Sequence, residues 1–223
     1  MATSEVRPPL EPGDPAPQFE LARADQTGVV RLDDFRGRPL LLTLMRGVQC
    51  PFCRRNIVML ARIAPALRQA GVETLAVVGT TAERARLYFR YRPASIPVAA
   101  DPDLAIHRRY GIPCYPINAQ LLDQMRTTRV DPFGELPEPL PFLAPGGAAI
   151  HDVFDRLDGF VPNETDLHDR RRQFRETLQL CGQYLLDGSG VIRWAHVEGE
   201  PGGLATAGIF PNETALLEIA RTL

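Results

Sequence analysis

Short apolar runs alternate with amphipathic segments along the first half of the chain. The runs 39–45, 73–79 and 97–100 are almost continuously apolar and have the length of buried parallel strands. Between and after them, apolar side chains recur with helical spacing, as in the stripe of Ile57, Leu60, Ala64 and Leu67. The pattern predicts two short strands at 17–21 and 28–32, then the three buried strands, with helices at 51–70, 81–91 and 103–110.

The rhythm breaks after Pro113 and returns near residue 180. Residues 114–179 contain a proline-dense stretch at 131–147 with polar helical segments around it. A strand at 183–186, a turn at 187–190 and a strand at 191–197 predict a hairpin, followed by a helix at about 212–222. The sequence Pro-Asn-Glu-Thr occurs at 162–165 and 211–214, and its Asn is expected to cap a helix each time. Together these elements predict a three-layer α/β fold with helices on both faces of one sheet.

Composition narrows the chemistry that the chain can perform. The 223 residues carry a net charge of −2 and are 44% hydrophobic and 23% charged, as in an ordinary globular protein. All 25 basic residues are arginine, so no side-chain amine is available as a nucleophile or base. This excludes Schiff-base enzymes, a Walker-A phosphate loop and the protein-kinase residue set.

Charge and hydropathy also bear on partners and location. A near-neutral chain argues against a dedicated nucleic-acid binder, and the longest apolar stretch, 39–45, is too short to span a bilayer. Residues 1–17 are acidic and proline-rich and are not expected to act as a secretory signal. We therefore expect a cytoplasmic protein, in which a close cysteine pair indicates redox or metal chemistry before a structural disulfide.

The residues that carry chemistry form the sequence Arg-Gly-Val-Gln-Cys-Pro-Phe-Cys-Arg at 46–54. It places Cys50 and Cys53 at the junction between a strand and a helix. Unpaired backbone N–H groups and the positive end of the helix dipole favour a thiolate there. Arg46 and Arg54 would lower a thiol pKa further if they point inward. The motif predicts a redox-active pair.

The residues alone leave two further roles open for the cysteine pair. Half of a zinc site would need two more ligands, but the remaining cysteines and histidines are scattered singly. The thiols could also be inert core residues. Outside the motif we expect the histidines to face solvent or local hydrogen bonds, the arginines at 170–172 to be solvated, and His151 with Asp152, Asp155 and Asp158 not to bind a cation.

The chain resembles the peroxiredoxins of the alkyl hydroperoxide reductase C/thiol-specific antioxidant (AhpC/TSA) family, within the thioredoxin superfamily. The resemblance rests on Gly-Asp-Pro-Ala-Pro-Gln-Phe-Glu-Leu at 13–21, Leu-Asp-Asp-Phe-Arg-Gly-Arg-Pro at 32–39 and the strand ending in Cys-Pro-Phe-Cys-Arg. It continues through Ala-Ala-Asp-Pro-Asp at 99–103 and the hairpin at 182–192. It covers residues 12–113 and 180–223, and leaves 114–179 as an unmatched insertion.

In the register of this family, Cys53 matches the cysteine that attacks peroxide. Cys50 replaces a threonine, and Arg46 stands where the family usually has proline. The arginine that members place near the attacking sulfur matches Cys181. The resemblance therefore implies that Cys181 lies near the pair, where it could act as a third redox thiol. Thioredoxins place a cis-proline at the same point, and this chain has none there.

These observations and the resemblance together predict one thioredoxin-like domain over 1–223, with a central mixed sheet and the insertion 114–179 before the final hairpin and helix.

We expect an antioxidant thiol oxidoreductase that reduces peroxides or disulfides through Cys50 and Cys53. We expect Cys50 to be exposed at the helix start, which favours it as the attacking thiol, whereas the family register favours Cys53. A thioredoxin-like protein or a small thiol would reduce the Cys50–Cys53 disulfide, with no bound cofactor or metal and no nucleic-acid or membrane partner. The superfamily often forms homodimers. A redox enzyme with a non-peroxide substrate and a non-catalytic binding module remain alternatives.

Overall fold

A computed structural model describes residues 8–145 and 149–223, and its central feature is a seven-stranded mixed sheet. The described residues form eleven strands: β1 (Glu20–Arg23), β2 (Val29–Arg31), β3 (Leu40–Met45), β4 (Glu73–Val78), β5 (Val98–Ala100), β6 (Cys114–Pro116), β7 (Arg129–Val130), β8 (Leu140–Pro141), β9 (Thr177–Gln179), β10 (Gly182–Leu186) and β11 (Ile192–Val197). The same residues form seven α-helices: α1 (Pro51–Gln69), α2 (Ala82–Tyr91), α3 (Ala105–Arg109), α4 (Ala119–Thr127), α5 (Ala149–Leu157), α6 (Glu164–Arg175) and α7 (Glu213–Ala220).

The strand order of the main sheet is β11-β10-β3-β4-β5-β1-β2. Strands β3, β4 and β5 are parallel, whereas β10 joins β3 and β1 joins β5 in antiparallel fashion. The predicted α/β fold with a central mixed sheet is confirmed. The first strand begins three residues later than predicted, and the other main-sheet strands lie within the predicted segments or within one residue of them.

The central strand β3 is buried along its whole length, as its apolar run predicts. Helix α1 packs against β4 and α7, and α2 packs against β5. The asparagines at 163 and 212 cap α6 and α7 as predicted, each accepting a hydrogen bond from a backbone N–H three residues later.

The insertion 114–179 leaves the main sheet and returns to it at the same place. Its first strand, β6, pairs with its last, β9, so that Cys114 lies opposite Gln179. Between them lie α4, the small β7–β8 sheet, α5 and α6. Buried phenylalanines of the insertion join the same contiguous core as the sheet residues. The insertion is therefore packed onto the fold.

Two groups of side chains lie deeper than predicted. His107 and His151 are fully buried, contrary to the expectation that they face solvent or local hydrogen bonds. Arg170 is also buried, although Arg171 and Arg172 are exposed. His151 is surrounded by apolar neighbours and Arg170 has an acidic partner, which accounts for the burial of both. No helix in the described ranges 8–145 and 149–223 is long and apolar enough to cross a membrane.

Candidate functional site

The Cys-x-x-Cys segment lies where β3 passes into α1. Cys50 is the N-cap residue with an extended backbone, Pro51 is the first helical residue, and Cys53 lies in the first turn. Proline suits that position because its missing N–H would have no partner within the helix. Both cysteines are reduced and have no exposed surface. The expectation that Cys50 is accessible at the helix start is therefore wrong.

The loop before Cys50 is shaped by a glycine with positive φ. Gly47 has φ +146°, and a Cβ there would lie 2.7 Å from the Thr80 hydroxyl and even closer to the Gln49 side chain. Thr80 also accepts a hydrogen bond from the Val48 backbone N–H at 3.2 Å. The loop is thus held against the end of β4, and no other residue type fits at position 47.

Cys181 completes a cluster of three buried thiols. It lies between β9 and β10, and the antiparallel pairing of Gly182 with Leu44 brings it beside the end of β3. Its Sγ atom lies 3.7 Å from the Sγ atom of Cys53. The predicted proximity of Cys181 to the redox pair is present in the structure. The fourth cysteine, Cys114, is partly exposed in β6.

A buried ion pair lies next to the thiols. The Arg46 guanidinium donates to both carboxylate oxygens of Glu198, with Nη1–Oε2 and Nη2–Oε1 distances of 2.6 and 2.9 Å. Glu198 also accepts the backbone N–H groups of Cys181, at 2.9 Å, and of Gly208. One carboxylate therefore fixes Arg46, the Cys181 backbone and the loop after β11.

Sequence patterns did not reveal Glu198. It directly follows the hairpin strand β11, and its side chain is fully buried. The sequence does carry one indication of this partner, an acidic residue between Val197 and Gly199. It stands at the end of a strand that reaches the same edge of the sheet as Arg46. Because a buried arginine needs an acidic partner, a search for that partner could have found it.

The electrostatics of the thiols differ from the sequence expectation. Burial raises the pKa of Cys53 to about 12, and burial likewise raises the pKa of Cys50 well above its ordinary value. The Arg46 guanidinium lowers both pKa values, but by less than burial raises them. The contact with Cys181 raises the pKa of Cys53 further, and the contact between Cys50 and Cys53 raises the pKa of Cys50 and lowers that of Cys53. In this conformation desolvation outweighs the helix dipole and the arginine, so both thiols are protonated.

Arg54 is inward-pointing but does not serve the thiols. Its guanidinium pairs with Asp155, donates to the Val48 carbonyl at 3.1 Å and stacks 3.8 Å from the ring centroid of Phe160. It is not among the groups that shift either cysteine pKa. Its predicted role in lowering a thiol pKa is therefore not supported, and its contacts are structural.

The insertion binds the cysteine loop through charge. The Asp155 carboxylate of α5 forms ion pairs with Arg54 and with Arg170 of α6. The Nη2 atom of Arg170 lies 2.9 Å from the Oδ1 atom of Asp155. The Nε atom of Arg170 donates to the Gln49 carbonyl at 2.8 Å. This buried Arg54–Asp155–Arg170 triad holds the insertion against the residue that precedes Cys50.

The insertion also covers the apolar residue between the cysteines. The fully buried Phe52 ring meets the His151 and Phe154 rings at centroid distances of 5.0 and 5.7 Å, with Phe133 and Phe142 slightly farther away. His151 has no hydrogen-bond partner for Nδ1 within the described part of the chain. It therefore behaves as an aromatic core residue. No group of three or more His, Cys, Asp or Glu side chains in the described ranges could hold a metal ion.

A polar cavity of about 280 Å³ lies between the scaffold and the insertion. Arg46, Gln49 and Thr80 line it from one side, and Thr177 and Gln179 from the other. The side-chain oxygen of Gln49 is buried and has no hydrogen-bond partner among residues 8–145 and 149–223. A larger groove of about 840 Å³ follows α1. Neither lining includes a cysteine of the described ranges, but Arg46, whose charge lowers the pKa of both thiols, lines the smaller cavity.

This arrangement defines a class of protein. A thioredoxin-like sheet that carries a cysteine pair at the start of the helix after its central strand is the framework of thiol-dependent oxidoreductases. The chain belongs to the AhpC/TSA family, whose model matches residues 12–136. That match includes Arg46, Cys50 and Cys53, and it ends before Cys181 and Glu198.

Solved structures agree on the fold. A peroxidoxin, BcpB, from Mycobacterium tuberculosis has a TM-score of 0.56 and 11% identity, with 96% of this chain and 98% of that chain covered. A reduced 2-Cys peroxiredoxin from Plasmodium vivax has a TM-score of 0.57 and 14% identity, with 95% and 81% covered. AhpC from Mycobacterium bovis has a TM-score of 0.56 and 12% identity, with 96% and 92% covered. No curated protein sequence matches the chain at a significant level.

Proposed function

We propose that this protein is an antioxidant thiol oxidoreductase that reduces peroxides, with Cys53 as the attacking thiol and Cys50 as a thiol that resolves the product. The observation that carries the proposal is the position of Cys53. It lies in the first turn of α1, between the thiols of Cys50 and Cys181, with the Arg46 charge lowering its pKa. The family register supports the same choice.

The proposed reaction proceeds in three steps. The Cys53 thiolate attacks one peroxide oxygen and breaks the O–O bond, which gives a Cys53 sulfenic acid and an alcohol or water. The Cys50 thiol then attacks the Cys53 sulfur, so that a disulfide forms and water leaves. A thioredoxin-like protein or a small thiol reduces that disulfide by two thiol–disulfide exchanges and becomes oxidised itself.

A second candidate is supported by the departures from the family pattern. Cys50 and Cys181 replace the threonine and arginine that polarise peroxide in relatives. Arg46 forms an ion pair with Glu198, which occupies its guanidinium. The polar cavity beside Gln49 is walled partly by the insertion. A disulfide or another oxidised substrate held in this cavity would lie beside Arg46 and Gln49, and it would reach the thiols only when they become exposed. Substrate range therefore separates the two candidates.

The rate of hydrogen peroxide consumption tests the proposal. It is measured by stopped flow in the presence of a reductant that returns the oxidised protein to its thiol form. We expect Cys53→Ser to abolish consumption and Cys50→Ser to slow recycling, while Cys114→Ser serves as the matched control and keeps the wild-type rate. If Cys53→Ser consumed peroxide as fast as wild type, the peroxidase proposal would be wrong. If wild type reduced disulfides but not peroxides, the second candidate would stand. If a double variant of Cys50 and Cys53 behaved like wild type in both assays, the two cysteines would have no redox role. The protein would then be a non-catalytic binding module.

Location and assembly belong to the same proposal. The composition favours the cytoplasm, where reductants would return the four cysteines to the free state seen in the structure. The superfamily favours a homodimer, and we treat 1–223 as one domain that includes the insertion. Cell fractionation, sedimentation and single-transition unfolding would test these three points.

A further inference from the structure

The contact between Cys53 and Cys181 has a chemical use that the Cys-x-x-Cys motif does not supply. We propose that Cys181 is a resolving thiol, and that it captures oxidised Cys53 before Cys50 does. This inference rests on the proposed function, because it requires Cys53 to be oxidised by substrate. It adds a transient Cys53–Cys181 disulfide to the reaction.

The geometry favours this bond. The two sulfurs are 3.7 Å apart in the reduced protein, and a disulfide requires about 2.05 Å, so a small side-chain movement closes the gap. Both side chains are fully buried. Water therefore competes poorly for a sulfenic acid formed there. A thiol that is already 3.7 Å from the oxidised sulfur has the advantage of proximity.

The Cys181 backbone is held in place from both sides. Its N–H donates to the Glu198 carboxylate at 2.9 Å, and its carbonyl accepts the Glu198 backbone N–H at 3.0 Å. Both hydrogen bonds involve backbone groups of residue 181, and they fix the point from which its side chain leaves the chain. The fixed backbone limits Cys181 to side-chain rotation, which keeps its sulfur within reach of Cys53.

The steps balance without an additional reagent. The Cys53 sulfenic acid and the Cys181 thiol form a disulfide and release one water. The Cys50 thiol then attacks the Cys53 sulfur and displaces Cys181, which takes up the proton that Cys50 gives up. The disulfide thus moves to the Cys50–Cys53 pair, and Cys181 returns to its reduced state.

Rapid-quench peptide mapping tests the inference. Wild type, Cys50→Ser, Cys181→Ser and the control Cys114→Ser are mixed with one equivalent of hydrogen peroxide, quenched in acid, denatured, alkylated and analysed by mass spectrometry. We expect wild type to show the Cys53–Cys181 disulfide first and the Cys50–Cys53 disulfide later. Cys50→Ser should accumulate the Cys53–Cys181 disulfide, and Cys181→Ser should retain the sulfenic acid for longer than wild type.

Each outcome bears on one claim. A Cys50–Cys53 disulfide that forms in wild type with no earlier Cys53–Cys181 species would overturn the inference and leave the proposed function standing. The same holds if Cys53–Cys181 appears only when Cys50 is absent. If Cys53 is not oxidised in any variant, the proposed function itself is wrong. Diamide oxidation of Cys50→Ser gives a second readout without peroxide, since a pair in contact should close in high yield.

Discussion

Arg46 and Glu198 are joined by two hydrogen bonds in the fully buried part of the site, and this pair lies beside all three redox candidates. Arg46 acts on the thiols through its charge, while Glu198 neutralises that charge and holds the Cys181 backbone. Residues from the loop after β3, the strand connection before β10 and the end of β11 are thereby linked. Because the Arg46 charge lowers the pKa of both Cys50 and Cys53, the thiol electrostatics depend on this pair.

Arg46→Met should raise the pKa of Cys50 and Cys53, because it removes the cation that lowers both. Thiolate forms above the pKa, so the pH profile of alkylation should move to higher pH, and the rate at one pH should fall about tenfold per pKa unit. General loosening of the fold would instead raise the rate at every pH. Arg62→Met, which changes an exposed arginine of α1, is the matched control and should leave the profile in place. An unchanged profile in Arg46→Met would assign thiolate stabilisation to the helix terminus.

Glu198→Gln should destabilise the fold and make the thiols more acidic. The substitution leaves Arg46 as a buried cation without a counter-charge, which typically costs about 3–5 kcal/mol in the free energy of unfolding. The unneutralised guanidinium should move the alkylation profile to lower pH, opposite to Arg46→Met. Urea unfolding measures the first effect. Glu200→Gln, two residues away and exposed, is the control and should change neither quantity.

Asp155→Asn should weaken the attachment of the insertion. It removes the shared partner of Arg54 and Arg170, and two buried cations without a counter-charge should lower the free energy of unfolding by about 3–5 kcal/mol. Limited proteolysis should then cut within 114–179 sooner than in wild type. Asp152→Asn, which changes an exposed carboxylate 3.9 Å from Arg170, should cost less than about 1 kcal/mol. Equal effects of the two substitutions would contradict the triad.

His151 should make the fold sensitive to mild acid. Burial holds the pKa of this imidazole well below 6.5, with nearby arginines acting in the same direction. The unfolded chain binds a proton near pH 6.5 and the folded chain does not, so stability is present above that pH and falls as the pH drops. The expected loss is about 1.4 kcal/mol per pH unit below pH 6.

Urea unfolding between pH 5 and 8 should show that the free energy of unfolding falls less steeply with decreasing pH in His151→Leu than in wild type. The matched control His168→Gln changes an exposed imidazole and should show the same pH dependence as wild type. If wild type and His151→Leu had the same pH dependence, the imidazole would be protonated in the folded state, and its placement among Phe52 and Phe174 would need revision.

The sequence predicts the main sheet well because its signals are local. An unbroken apolar run specifies β3, and Asn163 and Asn212 mark helix starts through a cap that spans three residues. The insertion is less predictable, because its helices are held by contacts over long sequence separations. His151 and Arg170 look like surface residues until Phe52 and Asp155 are placed beside them.

The candidate site divides in the same way. The cysteine pair and Arg46 are adjacent in sequence, and Cys181 could be placed by family register. Glu198 lies 152 residues from Arg46, and only the pairing of β10 with both β3 and β11 brings them together. The thiol pKa values could not be predicted either, since desolvation depends on the packing of the insertion over Phe52.

The complete enclosure of the three sulfurs makes access a step of the proposed reaction. No oxidant reaches Cys53 in this conformation, so the observed rate is the rate of the open form multiplied by its population. Each 1.4 kcal/mol of opening free energy reduces that population about tenfold. A reagent that reacts slowly relative to reclosing would therefore report the opening equilibrium, and a faster one would report the rate of opening. Substrate that binds the open form would hold it open, and catalysis would couple to the release of the insertion from the cysteine loop.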